Sequence, residues 1–175
     1  MLTKINVVRI VRDHLNTLRD YRTGKLDRGD FVLFYICPII FGAGLCLWPK
    51  LLDATLINVL IQAFAILVGL LLNLLVLIFT AIRRESQRTS DPNESLKSET
   101  KIKILWETFA NLSYSVLIGL IIALLLLVAL LHRPVIVIVA NFLIYAGSLN
   151  FVLTLLMILK RVHSLLGGEF RSGSP

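Results

Sequence analysis

Charged residues are scarce over most of this sequence, and Asp, Glu, Lys and Arg together make up only 17% of it. They are confined to residues 1–30, 83–103, 133 and 160–171, with Lys50 and Asp53 as an additional pair and Glu107 as a single further charge. The apolar share of 57% is too high for an ordinary soluble domain. This distribution is typical of an integral membrane protein and argues against a soluble globular one.

Cysteine is also rare, because the chain has only two, Cys37 and Cys46. On a helix, residues nine positions apart point to opposite faces, so these two cannot form a disulfide within one helix. We interpret both as small apolar residues, and they give no evidence about the redox compartment.

Catalytic and metal-binding patterns are missing as well. The sequence has no Gly-x-Ser-x-Gly motif, no phosphate-binding loop, no Cys/His cluster with metal spacing and no paired carboxylates within its apolar runs. The histidines His14, His132 and His163 are scattered, and we interpret each as an interface residue rather than a ligand. We therefore expect no enzymatic activity, no metal and no cofactor.

Four apolar runs are long enough to cross a bilayer, since a helix of about 20 residues spans the ~30 Å hydrocarbon core. They are residues 31–48, 55–82, 104–131 and 135–159, and only the third contains a charge, Glu107. We predict an all-α integral membrane protein with four transmembrane helices arranged as two hairpins, preceded by an amphipathic cytoplasmic helix. Pro38 predicts a local kink in the first span.

The predicted segments are residues 1–30 (amphipathic helix and turn), 31–82 (first hairpin), 83–103 (cytoplasmic loop), 104–160 (second hairpin) and 161–175 (cytoplasmic tail). Seven Lys and Arg lie in 1–30, six in 83–103 and three in 160–171, against Lys50 and Arg133 alone in the other two connections. Because positive residues favour the cytoplasmic side, we predict a multi-pass inner-membrane protein with both termini in the cytoplasm. Trp48 and Trp106, at the ends of spans, fit the aromatic belt.

The N-terminal stretch 5–22 predicts a basic amphipathic helix. Its apolar arc of about 160° consists of Val7, Val8, Ile10, Val11, His14, Leu15, Leu18 and Tyr21. We expect it to lie on the membrane surface with Arg9, Arg12 and Arg19 toward anionic head groups. The alternatives are a docking helix for a partner protein and a cover on the protein's own cytoplasmic end.

Further signals predict helix ends and close helix contacts. Asp91, Pro92 and Glu94 form a capping pattern that starts the third helix, and Gly167-Gly168 predicts the end of the fourth. Small residues at 42–44 and at 119 and 123 predict places where helices approach closely.

Polar residues form stripes inside three of the predicted spans. They are Gln62, Gly69, Asn73 and Thr80 in the second span, and Glu107, Thr108, Asn111, Tyr114 and Ser115 in the third. The fourth span has Asn141, Tyr145 and Ser148 on one face and Gly147, Asn150 and Thr154 on the other. Because polar side chains are disfavoured against lipid, we expect these stripes to face other helices or water.

Asn73, Asn111 and Asn150 each lie roughly 10–14 Å from the cytoplasmic end of their spans, so they can occupy one slab of the inner leaflet. This indicates either interhelical hydrogen bonds or a polar cavity or pore lining. The two opposed polar faces of the fourth helix favour a homo-oligomer with that helix near a subunit interface. The other expected partners are anionic lipids and a cytoplasmic protein. We expect no nucleic acid as a partner.

Glu107 lies close to the cytoplasmic interface. We expect an ion pair at the level of the head groups, with Arg83, Arg84, Lys160 or Arg161 as the companion. A gate or an effector contact is the alternative.

The stretches "RDYRTGKLDRGDFVLFYICPIIFG", "LLNLLVLIFTAIRR" and "LWETFANLSYSVLIGLIIALLLL" resemble small four-helix membrane proteins of bacteria. Some of those look like the membrane component of antiphage defence systems. The resemblance covers the four spans and includes no catalytic motif. It implies an effector or sensor that acts on the inner membrane together with a cytoplasmic partner.

Two functions are therefore considered. The first is an oligomeric effector that perturbs the membrane or forms a pore when triggered from the cytoplasm. The second is a non-conducting anchor or scaffold that recruits a cytoplasmic enzyme through its basic face.

Overall fold

The computed structural model describes residues 6–18, 28–47, 52–88, 95–130 and 134–172. Its elements are α1 (Val7–Thr17), α2 (Arg28–Phe31), a π-helix (Val32–Ile36), α3 (Cys37–Cys46), α4 (Ala54–Arg88), α5 (Ser95–Ala129) and α6 (Pro134–Ser172). Four helical segments are long and apolar enough to cross a membrane: Arg28–Cys46, Ala54–Gln87, Glu99–Ala129 and Val137–Leu165. The prediction of a helical protein with four candidate spans is thereby confirmed.

The first span is a continuous helix with a wider turn in its middle. The π-helix precedes Pro38, and the backbone N–H of Cys37 bonds to the carbonyl of Val32, five residues earlier. Proline has no N–H to donate to the carbonyl four residues before it, which here belongs to Phe34. Where the sequence predicts a kink at Pro38, the structure has a π-helical turn just before it.

Two helices are longer than their apolar runs suggest. Helix α4 continues beyond Ile82 to Arg88, and α6 runs through Gly167 and Gly168 to Ser172. The predicted end of the fourth helix at these glycines is thus wrong. A glycine costs only about 1 kcal/mol within a helix and keeps its N–H, so two of them need not end it. The capping residues 91–94 lie outside the described residues.

The order of packing differs from the order of the sequence. Helix α5 packs against both α4 and α6, and α3 packs against α6. Among the described residues, α3 and α4 have no close backbone contact, although they follow one another in the chain. The core includes the fully buried Leu112 and Leu126 on α5, and Phe64 and Phe151 meet edge to face at 5.3 Å.

Glycines allow the closest approaches between helices. A Cβ on Gly42 would lie 3.0 Å from the Cβ of Ala146, so glycine there lets α3 approach α6. A Cβ on Gly119 would lie 2.7 Å from Cγ2 of Val68, at the contact of α5 and α4. Gly44, in the same predicted patch as Gly42, has open space instead.

Helix α6 has neighbours from its own chain on two sides, α5 and α3. Its two opposed polar faces were the reason to expect it near a subunit interface. Since the first span supplies the second neighbour, the polar faces of α6 do not require a partner subunit.

Helix α1 packs against α5. Its N-terminus is capped by Asn6, whose side-chain oxygen accepts a hydrogen bond from the N–H of Arg9 at 3.1 Å. His14 and Leu18 are fully buried, whereas Val8 is 67% exposed. The apolar arc of this segment thus contacts the protein itself at its C-terminal end.

Candidate functional site

A polar network connects α1 with three of the helices that are long and apolar enough to span a membrane. Its first member is Asn150 on α6, whose Nδ2 donates to the carbonyl oxygen of Phe34 at 2.7 Å. This is the carbonyl that Pro38 leaves without a helical donor. An unpaired carbonyl is costly in an apolar environment, so Asn150 stabilises the π-helical turn of the first span.

Asn150 also receives a hydrogen bond from α5. The hydroxyl of Tyr114 donates to Oδ1 of Asn150 at 3.0 Å. One amide thereby connects α5, α6 and the first span, and Tyr114 itself is only 5% exposed.

Helix α1 enters the network through His14. Its ring is parallel to the ring of Tyr114, with centroids 3.8 Å apart, and Nδ1 lies 2.8 Å from Oδ1 of Asn111. Because an amide oxygen only accepts, Nδ1 carries the proton in this arrangement. The hydroxyl of Thr17 lies 2.8 Å from the same oxygen and 2.7 Å from the carbonyl of His14.

The imidazole of His14 is fully buried. Burial, together with the nearby positive charge of Arg161, lowers the pKa of His14 from 6.5 to about 4, although the hydrogen bond to Asn111 opposes the shift. The ring is therefore neutral at physiological pH. A neutral ring with a proton on Nδ1 has none on Nε2, and Nε2 has no hydrogen-bond partner among the described residues.

Glu107 and Arg161 form the charged edge of the network. Nη1 of Arg161 lies 3.4 Å from Oε2 of Glu107, and Nη2 donates to the carbonyl oxygen of Thr17 at 3.0 Å. The structure thus selects Arg161 among the four expected companions of Glu107. The guanidinium also stabilises the C-terminal end of α1, where the helix dipole favours a cation.

Other predicted polar residues of α5 and α6 are buried within the bundle. Thr108 and Thr154 are fully buried and donate to the carbonyls of Ile104 and Asn150, one turn earlier. Ser115 is fully buried, and its hydroxyl has no partner among the described residues. Asn141, Tyr145 and Ser148 are half-buried.

The predicted stripe on α4 faces away from the rest of the chain. Gln62, Gly69 and Asn73 are exposed, and half-buried Thr80 donates to the carbonyl of Val76 at 2.9 Å. Asn73 is therefore separate from the network that contains Asn111 and Asn150. These last two do not bond to each other but lie on either side of Tyr114 and His14.

The basic residues of α1 point outward. Nε of Arg9 lies 3.8 Å from Oδ2 of Asp13, and Arg12 is exposed. Arg19 lies outside the described residues.

His14 and Thr17 are the members of the network that sequence reasoning missed. His14 was placed on the apolar arc but interpreted only as an interface residue. A histidine in the middle of an otherwise apolar arc is itself a signal, since a buried ring nitrogen needs a hydrogen-bond partner. Nothing in the sequence identifies Asn111 as that partner.

Among the described residues there is no group of three or more His, Cys, Asp or Glu side chains that could hold a metal ion. What the network can do is join four helices through hydrogen bonds and one ion pair. No protein-family model matches the sequence, no curated protein is significantly similar to it, and no solved structure matches its fold.

Proposed function

We propose that this protein is a bacterial inner-membrane effector that assembles into homo-oligomers and changes membrane permeability when triggered from the cytoplasm. In this proposal its four spans cross the membrane in alternating directions, with both termini in the cytoplasm. The clustering of Lys and Arg in residues 1–30, 83–103 and 160–171 supports this orientation. Antiviral defence as the setting rests on the sequence resemblance alone.

The outward polar stripe of α4 is the observation that carries the proposal. Gln62 and Asn73 are exposed in the central part of α4, where the other exposed side chains between residues 59 and 79, such as Ile66, Leu70 and Val76, are apolar. An amide facing hydrocarbon is disfavoured because its hydrogen bonds with water are lost. A second copy that presents the same stripe satisfies both amides, and several copies enclose a polar path.

Helix α1 is the element that receives the trigger in this proposal. Its polar contacts with the rest of the chain are made by His14, Thr17 and the guanidinium of Arg161. Nε2 of His14, Nδ2 of Asn111 and Oγ of Ser115 are buried without partners among the described residues. Displacement of α1 gives Nε2 of His14 access to the hydrogen bond that it lacks in the docked position.

Induced expression in bacterial cells, followed with a potential-sensitive dye, tests the proposal. The wild-type chain should depolarise cells after activation, and Asn73→Leu should blunt the effect at equal membrane abundance. Leu72→Val, which alters the neighbouring exposed position without changing its polarity, is the matched control. A normal membrane potential under full expression and activation would contradict the proposal.

A scaffold function is the second candidate, and the outer surface of α1 favours it. Exposed Val8 and exposed Arg12 offer an apolar and a cationic contact to a cytoplasmic enzyme. If α1 recruits an enzyme, charge reversal at three positions, Arg9→Glu, Arg12→Glu and Arg19→Glu, should abolish recovery of that partner. Asn73→Leu should leave recovery of the partner unchanged.

A further inference from the structure

The outward face of α4 differs from the outward faces of the other candidate spans. In the described residues 31–46, 108–129 and 137–159, every exposed side chain is apolar. On α4, by contrast, the amides of Gln62 and Asn73 are exposed. Hydrocarbon offers them no hydrogen bond, so each amide needs a polar partner that the described residues do not provide.

The exposed amides of α4 belong to a heptad pattern. Alternating steps of four and three residues from Gln62 reach six positions on one arc of about 80°. We call them the heptad face, and they are Gln62, Ile66, Gly69, Asn73, Val76 and Thr80. This spacing is that of the contact positions in a left-handed coiled coil of parallel helices.

The heptad face is free to meet another helix. The buried residues of α4, which include Phe64, Val68 and Leu71, lie on the opposite side of the helix. Among the described helices, only α5 has close backbone contacts with α4. Gly69 lies between the two amides and has open space around it, so two backbones can approach closely there.

A second copy of the chain has the hydrogen-bonding groups that this face requires. All copies insert in the same direction, so two α4 helices are parallel and each residue lies at the depth of its equivalent. An amide is both donor and acceptor, and Gln62 and Asn73 can therefore each pair with their own equivalents across a twofold axis. An unrelated helix would need polar groups at both depths, about 16 Å apart along α4.

We infer that α4 binds α4 of a second copy as a parallel, left-handed coiled coil. Asn73 hydrogen-bonds to its equivalent and fixes the register, which is the role of a single polar residue at a contact position of a coiled coil. Gln62 forms a second polar layer. This inference rests on the homo-oligomer of the proposed function, but it does not require a change of membrane permeability.

Disulfide crosslinking of single cysteines in membranes measures which side of α4 meets the second copy. The full chain with Cys37→Ala and Cys46→Ala has no other cysteine. In that chain, Ile66→Cys and Val76→Cys each place a thiol on the heptad face and leave both amides intact. Oxidation should give a disulfide-linked dimer at both positions.

Leu70→Cys and Leu72→Cys are the matched controls, because these positions lie on either side of the heptad face. The exposed fractions of the four replaced residues range from 46% to 66%, so each thiol is accessible in a single copy. The yield of dimer should be lower at the two control positions. Equal yields at all four positions, a higher yield at the controls or no dimer at any position would overturn the inference.

Substitution of Asn73 tests the polar contact in the Ile66→Cys chain. Asn73→Leu should lower the dimerisation constant roughly threefold to thirtyfold, the range that hydrogen bonds between membrane helices provide. Asn73→Gln keeps an amide and should retain most of the dimer. Because residue 73 is exposed, neither change disturbs the core. Equal dimerisation of Asn73→Leu and the parent chain would contradict the pairing.

The membrane potential of the same cells separates this inference from the proposed function. Crosslinking on the heptad face without depolarisation would support the α4 contact and contradict the permeability function. Depolarisation without crosslinking on that face would contradict the α4 contact alone.

Discussion

The rings of His14 and Tyr114 are parallel, with their centroids 3.8 Å apart, although 100 positions separate them in the sequence. His14 belongs to α1 and Tyr114 to the centre of the bundle. Because Tyr114 also donates to Asn150, a displacement of α1 removes a contact from a residue that supports the first span.

Acidification should release α1. The pKa of His14 is lowered from 6.5 to about 4 in the docked helix, so docking is strongest above pH 6.5 and weakens as the pH falls toward 4. The full loss is about 3 kcal/mol, because one pKa unit corresponds to about 1.36 kcal/mol. Spin labels at exposed positions 12 and 163, in a chain with Cys37→Ala and Cys46→Ala, should report a broader distance distribution at pH 5 than at pH 7.5.

The variant His14→Phe is the control for that measurement. Phenylalanine preserves an aromatic ring against Tyr114 but does not titrate, so its distance distribution should be independent of pH. Since the label at position 163 replaces exposed His163, His132 is the remaining histidine. A pH response that persists in His14→Phe would assign the effect to another group.

Asn150→Ala should destabilise the protein by about 1–2 kcal/mol, because the carbonyl of Phe34 loses its donor. Asn141→Ala is the matched control on the same helix, since Oδ1 of Asn141 has no hydrogen-bond partner among the described residues. Pro38→Ala restores a backbone N–H four residues after Phe34. The loss of unfolding free energy caused by Asn150→Ala should therefore be smaller in the Pro38→Ala background. Unfolding in mixed micelles measures both losses. Equal losses in the two backgrounds would refute the hydrogen bond between Asn150 and the carbonyl of Phe34.

The ion pair of Glu107 and Arg161 should contribute less than about 1 kcal/mol, because both side chains retain contact with solvent. Arg161→Gln should cost more than Glu107→Gln, since it also removes the hydrogen bond to the carbonyl of Thr17. A double-mutant cycle at low and high salt measures the energy of the ion pair and the cost of each single substitution. Equal costs for the two single variants would argue against the contact with α1.

Two glycines of adjacent helices should respond oppositely to alanine. Gly119→Ala places a Cβ 2.7 Å from Cγ2 of Val68 and should destabilise the bundle by about 1–3 kcal/mol. Gly69→Ala has open space around it and should be neutral or stabilising by up to about 1 kcal/mol. In the proposed oligomer, Gly69→Leu should leave the free energy of unfolding unchanged but lower the fraction of crosslinked oligomer. An unchanged crosslinked fraction would show that α4 does not lie at the subunit contact.

The spans could be predicted from the sequence because the signal is local. Long apolar runs, such as 55–82, contain their own evidence for a membrane helix. Helix α1 was predicted for the same reason, since the 3.6-residue period is present in residues 5–22. The extension of α6 through Gly167 and Gly168 could not be predicted, because glycine is a weak and context-dependent signal for a helix end.

The choice of partners could not be predicted because it is not local. Depth along the helix placed Asn73, Asn111 and Asn150 in one layer, but depth does not determine the direction in which each side chain points. That direction depends on the rotation of each helix, which the packing of the whole bundle sets. Consequently Asn111 faces His14, Asn150 faces Phe34, and Asn73 faces outward.

The packing of α3 against α6 has a consequence for the synthesis of the protein. Helix α3 is synthesised before its packing partner α6, and about 90 residues separate Cys46 from Val137. At 5–20 residues per second, translation of that interval takes about 5–20 s. During this time the first span, with an unpaired carbonyl at Phe34, is surrounded by lipid or by the insertion machinery. The contact of α3 with α6 therefore forms only after α6 has been synthesised.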